Sequence, residues 1–232
     1  MGRRRIIWTQ YLDYSKINAD YAFVLDSGGS PGEIITKAPA QDKIEVTIKG
    51  KPAHAGLQPE NGISAIMVAS KAIENMKLLR IDEETTANIG IVKGGIATNI
   101  VMPELEIVAE ARSLEESKLD AQTNHMVEEF KKAGEAMGAE VITKVTRAYA
   151  PFKIADDADI VELAKKAFSN LGINGYTAST GGGSDTNVLN GNGLKAVNLG
   201  IGMKNAHTLE EYIAIEDIVN SSRAVLEIIK EA

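Results

Sequence analysis

Residues 43–49, KIEVTIK, alternate Ile44, Val46 and Ile48 with polar side chains. That period of two marks a strand with one buried face. From Asn61 to Arg80, Ile63, Ile66, Met67, Ile73 and Met76 recur at helical spacing and predict an amphipathic helix. TTANIGIVKGG follows as a second strand, with Ala87, Ile89 and Ile91 assigned to one face. NIVMPELEIVAEAR gives a third, with Leu105, Ile107, Ala109 and Ala111 on one face. Ser113 and Glu116 have the spacing of a capping box that opens a helix running to about Gly138, and EVITKVT supplies a fourth strand. The order β-α-β-β-α-β is the ferredoxin-like arrangement.

Two proline-marked seams bound this pattern, KAPAQ around Pro39 and AYAPF around Pro151. The expected division is therefore a ferredoxin-like domain over residues 40–150, with 11–39 and 151–232 forming one discontinuous α/β unit. Outside the seams, YAFVLD (Tyr21–Asp26) reads as a short, mostly apolar strand ending in a carboxylate, and LKAVNLG as a buried strand. Ile160, Leu163, Ala164, Ala167 and Leu171 predict a helix ending at Gly172, and Ile215–Ala232 predicts a final helix. Asp26, the GGGSDTN stretch and His207 all lie just beyond strand-like segments, where open α/β sheets place their ligands.

Bulk properties narrow the function. The 232 residues carry a net charge of -7 with 5% aromatics, which excludes a basic nucleic-acid-binding surface. No cysteine is present, so there are neither disulfides nor thiolate metal sites, in keeping with a cytoplasmic setting. No apolar run reaches the ~18 residues of a membrane span.

Each candidate has a functional and a bland reading. His207 is a zinc-ligand type, with Asp26, Glu210 or Glu211 as partners, or else a surface histidine. Gly182, Gly183 and Ser184 lie in TGGGSDTN (Thr180–Asn187). This stretch lacks the Gly-Lys-Ser/Thr ending of a phosphate loop; it is either a ligand-facing backbone or a turn whose Ser184 or Asp185 caps a helix. His54, between a strand and a helix, suits a hydrogen-bond donor to a reacting oxygen or has no task. Arg112 is the natural fork for a carboxylate, or it pairs with Glu104, Glu106 or Glu110 on its own strand face. His125 is assigned no function.

Taken together, INADYAFVLDSGG, KGKPAHAGLQPENGISAI, TNIVMPELEIVAEARSL and GGGSDTNVLNGNGLKAVNLGIGMKNAHTLEEYI resemble the dinuclear-zinc peptidases in order and spacing. That family includes peptidase T, glutamate carboxypeptidase and the acetylornithine and succinyl-diaminopimelate deacylases, and DYAFVLDSGG is most similar to the peptidase T branch. The resemblance covers almost all of residues 11–232. It implies a zinc-binding α/β domain interrupted by a ferredoxin-like lid that also serves dimerisation, and a short peptide as substrate. It makes Asp26 and His207 ligands of two different zincs, His54 the oxyanion donor, and Asn99 and Arg112 substrate-holding groups. Gly182, Gly183 and Ser184 become the wall beside the substrate. The family also draws a His-x-Asp pair, a bridging Asp and a Glu-Glu pair, one Glu being the general base, from sequence before the Asp26 position. This chain has Arg3, Arg4 and Arg5 in that region, and residues 1–10 read as an unrelated leader. The expectation is a homodimeric peptidase T-like aminopeptidase whose 232-residue form lacks ligands and base and is inactive. Its alternatives are an N-acyl amino acid deacylase and a non-catalytic lid and dimerisation fragment.

Overall fold

The computed structural model describes residues 8–232. Residues 1–7, with the Arg3–Arg5 run and most of the expected leader, lie outside the described residues. Two units emerge: the chain up to Pro39 joined by Tyr149–Ala232, and Ala40–Ala148. The chain thus crosses between units at Pro39–Ala40 and returns at Ala148–Tyr149.

In chain order, the α/β unit opens with single 3-10 turns at Trp8–Tyr11 and Tyr14–Lys16, then β1 (Tyr21–Ser27) and β2 (Glu33–Ala38). The ferredoxin-like unit follows as β3 (Ala40–Lys49), α1 (Ala65–Glu74), β4 (Leu79–Arg80), β5 (Thr85–Gly94), β6 (Glu104–Ser113), α2 (Glu116–Met137) and β7 (Glu140–Tyr149). The chain returns through β8 (Phe152–Lys153), α3 (Asp159–Asn170), β9 (Tyr176–Ser179), α4 (Asp185–Gly191), β10 (Lys195–Gly200) and α5 (Ile215–Glu231).

The ferredoxin-like sheet runs β4-β5-β6-β3-β7. The inward residues Ile44, Val46 and Ile48 of β3 and Leu105, Ile107 and Ala109 of β6 pack with Val68, Leu119, Met126 and Phe130 of the two helices in one core. Each fully buried aliphatic or aromatic side chain of this kind stabilises by roughly 1.5–3 kcal/mol. The helix expected from Asn61 is shorter, because a 3-10 turn at Pro59–Asn61 precedes it and β4 takes its expected end. A register shift between Ile89 and Ile91 leaves Ala87 and Ile89 facing Ala111 and Ala109 but sets Ile91 opposite Val108. This bulge moves Ile91, 45% exposed, to the open face of the sheet, contrary to the alternation read from sequence. The expected Ser113–Glu116 capping box is absent: Ser113 completes β6, and its hydroxyl pairs with that of Thr85 at 3.0 Å. Helix α2 ends as expected on Gly138, whose φ of 74° is the left-handed conformation glycine tolerates best.

In the α/β unit the sheet order is β1-β10-β2-β8, with β9 also on β2. β1 and β10 are parallel, and β10 and β2 antiparallel. Val197 and Leu199 of β10 join Ile34, Ile160, Phe168, Ala224 and Ile228 in a second core under α3 and α5. Alternation turns Asn198 the other way, toward Ser184 at the head of α4. Periodicity does not reveal β2, β8 or β9, short pieces whose burial depends on partners remote in sequence, whereas α4 is the helix that the Ser184 cap reading offered.

Candidate active site

Parallel pairing of β1 with β10 brings the carboxyl ends of both strands out on the same side. Their register holds from Tyr21 opposite Lys195 to Val24 opposite Asn198, then shifts before Ser27 meets Gly200. Asp26 lies in that irregular step, on an exposed position. The buried Asn198 side chain bridges the gap. Its Oδ1 accepts from the Asp26 backbone N–H at 2.8 Å, and its Nδ2 donates to the Asp26 carbonyl at 3.1 Å. An amide that donates and accepts at once replaces a missing rung of the ladder and fixes the backbone that carries the carboxylate.

The segment after β10 is tied to the segment after β1. Ile201 N–H donates to the Ser27 carbonyl at 3.0 Å and Gly202 N–H to that of Gly29 at 2.7 Å. Beyond them, Lys204 and Tyr212 form an antiparallel bridge that closes a loop around His207. Asn205 (φ 51°) and His207 (φ 68°) both adopt the left-handed conformation. For histidine this costs on the order of 1 kcal/mol. The His207 backbone N–H donates to the Glu211 carboxylate at 2.6 Å. Among the described residues, no three His, Asp or Glu side chains gather in a metal-holding group. Zinc sites ordinarily take three or four protein ligands.

The glycine-rich stretch forms both a turn and a cap. The Ser184 hydroxyl accepts from Thr186 N–H at 3.3 Å, while Ser184 N–H donates to Asn187 Oδ1 at 3.1 Å, a reciprocal cap at the start of α4. The three glycines differ. A Cβ on Gly183 would come within 2.1 Å of the Tyr149 ring, so this residue must be bare, whereas one on Gly181 would meet nothing and one on Gly182 only the Thr180 hydroxyl at 3.8 Å. Room for a side chain thus exists at 181 and 182, while the Gly182 N–H already donates to the Thr180 hydroxyl at 3.2 Å. Asp185 accepts from the Thr9 hydroxyl at 2.8 Å, so the expected leader's last residues dock on this loop. Burial first, and the Asp185 carboxylate second, push the Tyr14 phenol above its ordinary range.

In the ferredoxin-like unit, the loops of His54 and Asn99 are stitched together. Ala55 N–H donates to the Asn99 carbonyl at 2.9 Å and Val101 N–H to that of Ala53 at 3.0 Å. His54 Nδ1 accepts from the Gly56 N–H at 3.2 Å, so the neutral ring carries its proton on Nε2, and the residue is exposed. Arg112 lies on the open face of β6, with its guanidinium forked on Glu110 at 2.8 and 3.1 Å. Glu110 also accepts from Gln41 at 2.6 Å. His125 accepts from Lys77 N–H at 3.3 Å, an end-of-helix contact. Asn187 and Asn198 went unnoticed in the sequence; the only signal was the S-x-x-N cap spacing for Asn187, and none existed for Asn198.

A family model described as a peptidase dimerisation domain matches residues 42–137. The chain is 47% identical over 227 residues to the uncharacterized protein YqjE of Bacillus subtilis, covering 98% of this chain and 61% of that protein. It is 28% identical to a peptidase T of Fusobacterium nucleatum, covering 95% and 54% of the two chains. Among solved structures, aminopeptidase PepT from Bacillus cereus superposes with a TM-score of 0.87 at 45% identity, over 96% of this chain and 60% of that one. A tripeptidase from Staphylococcus aureus gives 0.91 at 39%, over 96% and 59%. The chain therefore spans less than two thirds of the length of these relatives. Residues 42–137 thus match a peptidase dimerisation domain of the M20 type, and the chain as a whole is similar to peptidase T and tripeptidase proteins.

Proposed function

We propose that the chain supplies the substrate-holding groups and two of the metal ligands of a cytoplasmic, homodimeric, zinc-dependent aminopeptidase acting on short peptides. The observation that carries the reading is the pairing of β1 with β10, which sends Asp26 and the His207 loop out from the same end of one sheet. Strain at His207 supports it: a left-handed histidine costs stability, and such costs persist where a side chain must be aimed. Asp26 and His207 would each hold a different zinc, the remaining ligands and the general base being supplied by residues outside this chain's described set.

His54, with its proton on Nε2, would donate to the substrate oxygen that gains negative charge as the peptide carbonyl is attacked. The amide of Asn99, on the loop bonded to that of His54, would hold the substrate backbone. Arg112 would take the peptide carboxylate, with Glu110 aligning its fork until the substrate arrives. Gly182, Gly183 and Ser184 would line the wall along which the peptide lies. By itself the 232-residue chain would hold no stable zinc and turn over no peptide, since a lone carboxylate or imidazole cannot retain the ion.

The test is a chimera that joins this chain to the part of the Bacillus cereus aminopeptidase it does not match. Zinc-dependent release of amino acids from tripeptides, lost on His207→Ala, is the expected result. Hydrolysis of N-acyl amino acids with no tripeptide turnover would move the assignment to the deacylases. A folded, zinc-loaded chimera inert on both would refute it. Robust turnover by the 232-residue chain alone would overturn the claim that its ligand set is incomplete.

A further inference from the structure

The chain passes between its two units twice, and one buried side chain of the α/β unit holds both passages. Asn187, 1% exposed, donates from Nδ2 to the carbonyl of Pro39 at 3.1 Å and to that of Ala150 at 2.9 Å. Pro39 is the last residue before the outgoing crossing, and Ala150 comes directly after the returning one at Ala148–Tyr149. Both Nδ2 protons are therefore spent on the two crossings, while Oδ1 accepts from Ser184 N–H at 3.1 Å in the glycine-rich loop. A second contact joins the same places: Gly183 lies so close to the Tyr149 ring that it has no room for a Cβ. A third ties the start of the loop to the approach of the outgoing crossing, with Thr180 N–H donating to the Lys37 carbonyl at 3.0 Å. On that approach β2 and β8 pair directly, Lys37 with Lys153 and Ala38 with Phe152.

Helix capping does not require this arrangement. A cap needs only the Ser184 hydroxyl and an acceptor for Ser184 N–H, which glutamate or glutamine ordinarily provides at this position. Asparagine is shorter and carries a donor, and here the donor is used outside the helix. Nor is the amide placed to join neighbours in sequence, because Pro39 lies 148 residues away and Ala150 37.

We propose that Asn187 is a positioning residue, a clamp that sets both interunit crossings from the glycine-rich loop and so limits the freedom of the ferredoxin-like unit relative to the α/β unit. A displacement of the loop at Gly183–Ser184 would be transmitted to both crossings through one amide and one aromatic ring. The inference rests on bonds within the α/β unit and does not depend on the peptidase reading.

The chain has no cysteine, so nitroxide labels can be placed at will. Cysteines at the exposed positions Lys71 in α1 and Arg223 in α5 report one distance between the units, measured by pulsed electron paramagnetic resonance in labelled chain diluted with unlabelled chain. Asn187→Ala removes all three bonds. Asn187→Asp keeps the acceptor for Ser184 N–H and removes both donors, so the cap survives if the alanine variant fails to fold. Ser184→Ala removes the hydroxyl of the cap and leaves the crossings bonded. The expected result is a distance distribution at least about twofold broader for Asn187→Asp and Asn187→Ala, with Ser184→Ala keeping the parental width. Unchanged width in a folded Asn187→Asp chain would overturn the proposal. Equal broadening by Ser184→Ala would also overturn it, because the effect would then belong to the cap.

Discussion

Charge holds the seam between β3, β7 and α2 in the ferredoxin-like unit, whereas neutral amides hold the irregular places of the α/β unit. In the first, Arg147 of β7 forks onto the buried Asp42 of β3 at 2.9 and 3.2 Å and reaches Glu116 and Asp120 of α2 at 3.2 and 2.5 Å. Thr123 adds a hydroxyl to Asp42 at 2.9 Å. These bonds raise the guanidinium above its ordinary range, so Arg147 remains charged at every accessible pH. In the second, Asn190 accepts from Ala196 N–H at 3.2 Å and donates to its carbonyl at 2.9 Å, the same two-sided pairing that Asn198 makes with Asp26. The difference follows from what each region must satisfy. A buried carboxylate needs a cation, whereas backbone that has left the ladder needs a donor and an acceptor together. Beside candidate metal ligands, an amide also meets that need without adding a competing charge.

The contrast is broken most forcefully by removing one core at a time. Phe130 and Phe168 are each at most 1% exposed, in separate cores. Phe130→Ala is expected to cost about 3–5 kcal/mol in the ferredoxin-like unit, and Phe168→Ala a similar amount in the α/β unit. Guanidinium unfolding followed by hydrogen exchange in each unit should show two transitions that move separately. A common shift of both would mean that the units do not unfold independently.

Removing one charge comes next. Arg147→Ala leaves Asp42 buried without its cation and should destabilise the ferredoxin-like unit by about 2–3 kcal/mol, less than a fully buried pair because a third of the arginine side chain is exposed. Asp42→Leu combined with Arg147→Met should recover most of that loss. If the double variant is as unstable as the single one, packing rather than the stranded charge sets the cost.

On the amide side, Asn198→Leu leaves the Asp26 N–H and carbonyl without the Asn198 partner and should cost about 1–3 kcal/mol in the α/β unit alone. The same change should lower the affinity of the chimera for zinc, measured by competition with a chromogenic chelator. Stability lost with zinc affinity unchanged would separate Asn198 from the aim of Asp26.

The smallest effect is a titration. Lys166 and then Asn170, both on α3, hold the Glu231 carboxyl of α5 below the ordinary glutamate range. A depressed carboxyl contributes stability above the unfolded value, and that contribution disappears as pH falls through the lower folded value. The α/β unit should therefore lose a small part of its stability below about pH 4, and Glu231→Gln should flatten that part of the profile. An identical pH profile in the variant would show that the α3–α5 contact is apolar in effect.

How much of this was legible beforehand depended on how far each feature reached along the chain. Ile44, Val46 and Ile48, and the helical apolar sets, identify their elements because period two and period 3.6 are local properties of the backbone. For that reason the ferredoxin-like order could be read almost whole, whereas the motifs around His54, Asp26 and His207 were legible only as a resemblance to a family pattern. Ile91 could not be placed, because a bulge at Gly90 is set by its pairing with β6 and reverses the alternation. Ser113 has the spacing of a cap yet serves in a strand, because Thr85 on the neighbouring strand offers its hydroxyl a buried partner.

The sequence by itself thus determined most elements of the ferredoxin-like unit and the chemistry-bearing residue types, and it set Arg112 on one strand face with Glu110. Only the tertiary structure decided that Asn198 carries Asp26 and that Asn187 holds Pro39 and Ala150. Those partners lie 172 residues apart for Asn198 and Asp26, and 148 for Asn187 and Pro39. A hydrogen bond is chosen by which groups the folded sheet brings within about 3 Å, and no local period encodes that choice.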